Sequence, residues 1–159
     1  MAAWGDGTSI SGRHSAFYQS NSFIPGPQEA GLRERALNAL GRIGRGRFAS
    51  VEPYLEKMAG LAADKHPQIR FAFIWASENI ATETPDAYAQ NLSLFAEASR
   101  QRRQSENGGP EMFRVMGKRR PQLVVPYFPI LQELSENDPN PVVSIHSAGA
   151  IRVTNSQLK

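Results

Sequence analysis

Residues Val124–Thr154, VVPYFPILQELSENDPNPVVSIHSAGAIRVT, decide the fold because they closely copy Val51–Thr82, VEPYLEKMAGLAADKHPQIRFAFIWASENIAT. Each copy runs an apolar stripe at helical spacing into a polar turn that ends in proline, then resumes the same spacing. Proline is barred from a helix interior, where it removes a backbone donor, but its fixed φ suits a first turn. Pro67 and Pro141 therefore each open a second helix. Self-similar helix-turn-helix units predict an all-α solenoid, in which every unit buries its apolar face against its neighbours.

The register between the copies can be counted. Pro53-Tyr54 and Pro126-Tyr127 lie 126 − 53 = 73 positions apart, and the same offset pairs Gly44 with Gly117, Arg47 with Arg120, Val51 with Val124 and Leu61 with Leu134. After the turn, one inserted residue brings Pro67 opposite Pro141. The interval leaves room for one more helix pair, Pro85–Gly117, so it holds two units of about 37 residues each. Residues 27–154 are thus expected to form about three to four helical hairpins in a right-handed superhelix.

Outward from the copies, Gly26-Pro27-Gln28-Glu29 can start a helix whose stripe is Leu32, Ala36, Leu37, Leu40 and Ile43. Ser50 is expected to cap Val51–Ala63, and helix Pro67–Ala81 to bury Ile69, Phe73, Ala76 and Ile80. Thr84 reads as the cap of a helix carrying Tyr88, Leu92, Phe95 and Ala96 to about Gln104. A loop at Ser105–Pro110 precedes a short helix, Pro110–Gly117, with Met112, Phe113 and Met116 inward. Pro129 stands where the earlier copy has Glu56, which predicts a bent or late-starting helix there. Residues 155–159 read as a tail. Residues 1–26, rich in Gly and Ser with scattered aromatics, read as a flexible arm or as a cap in which Phe17–Ile24 docks across the open end.

The segments DKHPQIRFAFIWASENIA and NDPNPVVSIHSAGAIRV place Asp or Asn before a proline, then Val or Ile, then recurring small residues. This pattern resembles HEAT or armadillo-type repeats over about Pro27–Thr154. The resemblance implies a helical-repeat architecture and a surface for partners, and it names no activity. The middle unit departs from the pattern, because Gly108-Gly109 stands where the polar turn and valine belong.

Composition narrows the classes. At 159 residues and 40% hydrophobic content, one domain with a sizeable core is expected. The chain has no cysteine, which excludes disulfides, thiolate metal sites and a cysteine nucleophile, and fits a cytoplasmic setting. No segment reads as a signal peptide or a membrane span, so no membrane partner is expected. The formal charge of +3 is too small to be an electrostatic footprint by itself. His14, His66 and His146 have no metal-ligand spacing, and no phosphate loop, dinucleotide fingerprint or nucleophile elbow is present. No catalytic residue, metal or cofactor is expected, and the enzyme question leans towards no.

Two surfaces are candidates. Helices Pro67–Ala81 and Pro141–Thr154 should line the concave face, offering Arg70, Trp75, Ser77, Glu78, Ser144, Ser147 and Arg152 to a protein or peptide. Trp75 beside charged groups has the composition of a binding hot spot. The second candidate is a basic edge built by Arg42, Arg45 and Arg47 and, one copy later, by Lys118, Arg119 and Arg120, the two clusters about 20 Å apart across two helix layers. That edge could steer an acidic partner or contact the phosphates of a nucleic acid. The acidic turn Glu83-Thr84-Pro85-Asp86 interrupts the basic track. The expectation is a non-enzymatic scaffold for a protein or peptide, with nucleic-acid or phosphate binding second and a repair- or lyase-type enzyme third. His146 is expected to be packed and hydrogen-bonded.

Overall fold

A computed structural model of the chain describes residues 27–101 and 109–159. The expectations for the arm, for the Ser105–Pro110 loop up to residue 108, and for a helix reaching Gln104 lie wholly or partly outside those residues. Within them every regular element is helical: α1 (Pro27–Gly46), α2 (Leu55–Ala59), α3 (Pro67–Glu83), α4 (Leu92–Gln101), α5 (Gly109–Arg119), α6 (Pro121–Val124), α7 (Phe128–Asn137) and α8 (Pro141–Gln157). Short 3-10 helices precede α2 at Phe48–Ser50 and Glu52–Tyr54, and follow it at Gly60–Ala63. Two more stand before α4 at Pro85–Tyr88 and before α7 at Val125–Tyr127.

The long helices pack in sequence order, α1 on α3, α3 on α5 and α5 on α8. The shorter elements form a second row: Gly60–Ala63 rests on α3, α4 on α5, and α7 on α8. Matched burial explains the row of long helices. Ile69, Phe73, Ala76 and Ile80 of α3 are buried, and so are Val143, Ser147, Ala150 and Thr154 of α8, at the same spacing of four, three and four. One helix face carries both sets, which is the stripe a helix must hide. Between the rows, Phe73 stacks on Phe95 with ring centroids 5.5 Å apart, and Tyr88 meets Phe95 edge-on.

Close approach of the long helices depends on glycine. A Cβ on Gly41 would lie 2.6 Å from Ala76 Cα, and one on Gly44 would lie 2.6 Å from Ile80 Cγ1. A Cβ on Gly117 would collide with Thr154 Oγ1, the residue that matches Ile80 in the second copy. The glycine pair noted in the sequence is therefore a helix-contact device, repeated at matched positions.

Backbone angles repeat as well. Arg47 (φ −143, ψ 68) matches Arg120 (φ −140, ψ 64), and Tyr54 (φ −102, ψ −6) matches Tyr127 (φ −97, ψ 1). In the turns, Asp64 Oδ1 accepts from His66 N at 2.9 Å and Asp138 Oδ1 from Asn140 N at 2.8 Å. Both are local side-chain turns that fix the chain for the proline that follows.

Several local expectations change. The break expected at Pro129 is present, since α7 starts only at Phe128 after a 3-10 helix. Its cause differs: the earlier copy breaks at the matched place before Leu55, although it has Glu56 rather than proline. The shared residues are Pro53 and Pro126, inside the 3-10 turns, whereas Pro129 sits in the first turn of α7, where its missing donor costs little. Ser50 and Thr84 make no side-chain cap; Ser50 lies in one 3-10 helix and Thr84 precedes another. On α1, from residue 29 on, the buried residues are Ala30, Leu37, Gly41 and Gly44, while Leu32 is 68% exposed and Ile43 47%. Finally, α8 runs to Gln157, because Ile151 and Thr154 still pack inward, so the tail is shorter than its expected span of 155–159.

Candidate partner-binding groove

Turning successive long helices against one another aligns their outward polar positions. α3 contributes Trp75, Glu78, Asn79 and Thr82, α5 contributes Glu111, Arg114, Val115, Lys118 and Arg119, and α8 contributes Val153, Ser156 and Gln157. All but Trp75 line one groove of about 720 Å³. Its polar floor is built by an (i, i+3) pair on α5. Arg114 Nε donates to both carboxylate oxygens of Glu111, at 2.8 and 2.7 Å, and its Nη2 adds a further contact. The Arg114 stem lies over Gly149, its Cδ 3.6 Å from where a Cβ would stand, an ordinary van der Waals distance. From α8, His146 Nδ1 stands 3.1 Å from Glu111 Oε2, close enough for an ion pair whenever the imidazole is protonated.

Glu78 is the outlier. Its Oε1 is buried and accepts no hydrogen bond from a described residue. Burial first, and the Glu111 charge second, push its carboxyl up to about 8, with Arg114 opposing. Near neutral pH the group is therefore mostly an uncharged acid. Beside it, Asn79 Nδ2 and Thr82 Oγ1 donate back to Trp75 O and Glu78 O, each four residues earlier, which leaves their other polar capacity facing the groove.

The expected concave-face residues divide. Trp75 and Glu78 belong to this face, and Arg152 is exposed on α8, within 4.0 Å of the space above Gly149. Arg70 turns back instead to the preceding turn, where its Nη1 donates to Asp64 O at 2.6 Å, and Ser144 Oγ does the same to Ser135 O at 2.5 Å. These matched positions clamp each long helix to the element before it. Ser77 and Ser147 are fully buried between helices and offer nothing to a partner. The sequence reading gave Glu111, Arg114 and His146 no place in a groove, although Glu111 and Arg114 stood at helical spacing in a helix it had placed. His146, expected to be packed and hydrogen-bonded, is half-exposed and stands beside Glu111.

The basic edge also divides. Arg42 leaves it and lies over Trp75, its guanidinium carbon 5.8 Å from the ring centroid. Arg120 makes a two-bond pair with Asp86, both at 2.6 Å, and Arg119 approaches Glu83 at 3.9 Å. The Arg120 hydrogen bonds hold the Asp86 carboxyl below its ordinary range. The acidic turn thus neutralises the second basic turn rather than merely interrupting the track. Arg45, Arg47 and Lys118 are exposed and have no ion-pair partner among the described residues.

Among the described residues, no group of three or more His, Asp or Glu side chains could hold a metal ion, and no helix is long and apolar enough to cross a membrane. Comparison with protein families, with curated proteins and with solved structures gives no match.

Proposed function

We infer that the chain is a HEAT-like helical-repeat scaffold whose groove across α3, α5 and α8 holds a segment of a protein partner. The observation that carries this reading is the groove itself, which spans three successive long helices and combines a buried Glu78 carboxyl oxygen, accepting no hydrogen bond from a described residue, with exposed cations. In a repeat stack, the row of long helices is the concave side, where extended partners lie. With Glu78 neutral, Glu111 tied to Arg114 and Arg119 near Glu83, the charges left to meet a ligand are those of Lys118 in the groove and Arg152 beside it. Acidic segments, or a terminal carboxylate, suit that balance, and Asn79 and Thr82 can bond a peptide backbone.

Nucleic-acid binding ranks second. Asp86 and Glu83 already hold Arg120 and Arg119, so a phosphate backbone would find only scattered free cations along that edge.

Selection from a displayed library of random peptides tests the reading. Selected peptides should be acidic, and should bind at least tenfold more weakly to Lys118→Glu and to the groove-filling Asn79→Trp, while binding Arg45→Glu unchanged. Peptides indifferent to both groove variants would overturn the groove assignment.

A further inference from the structure

One acid in the groove has surroundings that oppose its charge. Glu78 lines the α3 wall, yet its Oε1 is buried and accepts no hydrogen bond from a described residue. A carboxylate held in that way loses water without gaining a donor, so the neutral acid is favoured. The nearest cation is already engaged, because Arg114 Nε donates to both oxygens of Glu111 at 2.8 and 2.7 Å. Burial and the Glu111 charge therefore outweigh Arg114, and Glu78 keeps its proton up to about pH 8.

The other elements around α3 turn their charges elsewhere. From α1, Arg42 lies over the Trp75 ring and Arg45 is exposed. In the 3-10 helix Pro85–Tyr88, Asp86 pairs with Arg120, and the Tyr88 phenol is buried beside Ser77. Gly60–Ala63 carries no titratable side chain. His146 of α8 meets Glu111. Farther along the groove stand Lys118 and Arg119, the latter 3.9 Å from Glu83.

We propose that Glu78 donates a hydrogen bond from its carboxyl to an aspartate or glutamate side chain of the partner, so that the groove takes up a proton as it binds an acidic segment. This rests on the groove reading above. Charge complementarity favours that occupant. A neutral acid can share its proton with a second carboxyl group, and Lys118 in the same groove meets the remaining negative charge. A cationic segment would instead face Arg114 and Lys118. Asn79 and Thr82, on the same helix and lining the same groove, can bond a backbone running past Glu78, which presents a side chain to it rather than a chain end.

The proton comes from solvent, and its uptake sets the sign of the pH dependence. Bound Glu78 must stay protonated, whereas free Glu78 ionises through about pH 8. Affinity is thus level below that range and falls above it, by about tenfold between pH 7 and pH 9. A cationic ligand would bind more tightly as pH rises.

The test uses an acidic peptide selected on the protein at pH 7 and synthesised with an amidated C-terminus, so that side chains carry its only carboxylates. It is titrated into full-length wild type, Glu78→Gln and Asn79→Trp at pH 7 and pH 9. Glutamine keeps a donor but cannot ionise. Wild type should weaken about tenfold over the interval and Glu78→Gln by less than about threefold. Calorimetry at pH 8 in buffers of different ionisation enthalpy should record uptake of about half a proton by wild type, a result that stands even if Glu78→Gln fails to fold. Equal pH profiles in the two proteins, no proton uptake by wild type, tighter binding at pH 9, or no binding of the amidated peptide would each overturn the donor role. A peptide indifferent to Asn79→Trp would overturn the groove reading itself, and this inference with it.

Discussion

The Glu111 carboxylate on α5 lies 3.1 Å from His146 Nδ1 on α8 while accepting from Arg114 on its own helix. A single carboxylate therefore faces both its own helix and α8, and places negative charge next to Glu78, contributing to the upward push on that buried acid.

The sign of the resulting pH dependence follows. Glu78 holds its proton up to about pH 8 when folded and releases it near 4.5 when unfolded. Across that window the folded state binds more protons, so stability falls as pH rises, by at most about 1.4 kcal/mol per pH unit from this one group. Urea unfolding at pH 5 and pH 8 should show wild type losing more stability than Glu78→Gln over the interval. Equal losses in the two proteins would show that Glu78 does not carry the effect.

Glycine substitutions should split by sign. Gly44→Ala drives a methyl into Ile80 and Val51, and overpacking of this kind costs about 1–3 kcal/mol. Gly31→Ala, in the same helix but with nothing within 4 Å of the added atom, should stabilise by about 0.5–1 kcal/mol. Thermal unfolding of the two single variants checks this directly, and a stabilising Gly44→Ala would contradict the close packing of α1 on α3.

Trp75 should report its cover. In a Trp4→Phe background the emission comes from Trp75 alone, and Arg42→Ala should move it to longer wavelength as the guanidinium is stripped from the ring. An unshifted spectrum would place Arg42 elsewhere in solution.

The basic turn should be unmasked by removing its acids. Glu83→Gln with Asp86→Asn frees Arg119 and Arg120, so elution from immobilised heparin should need more salt than wild type. Unchanged elution would mean that these arginines were never engaged.

Much of the architecture was legible because the two copies share a register that local rules can read. Pro67 and Pro141 mark helix starts, and the stripe Ile69, Phe73, Ala76 and Ile80 is buried as the spacing requires. Caps were not legible: Ser50 and Thr84 are good cap residues by type, but both fall at 3-10 turns shaped by neighbouring prolines. The site was half legible. Of the residues expected on the partner face, Glu78 lines the groove, whereas Ser77 and Ser147 were placed on the surface because their chemistry is polar, and the close approach of the helices buries them. The grouping of Glu111, Arg114 and His146 was not legible because their meeting depends on how α5 and α8 sit together, which no local pattern in either helix specifies.

The groove is most directly tested by titrating a selected acidic peptide into wild type, Asn79→Trp and Arg45→Glu by calorimetry. Groove binding predicts that Asn79→Trp weakens affinity at least tenfold while Arg45→Glu leaves it within twofold of wild type. Wild-type affinity in Asn79→Trp, with loss in Arg45→Glu, would contradict the groove and move the binding surface to the basic edge.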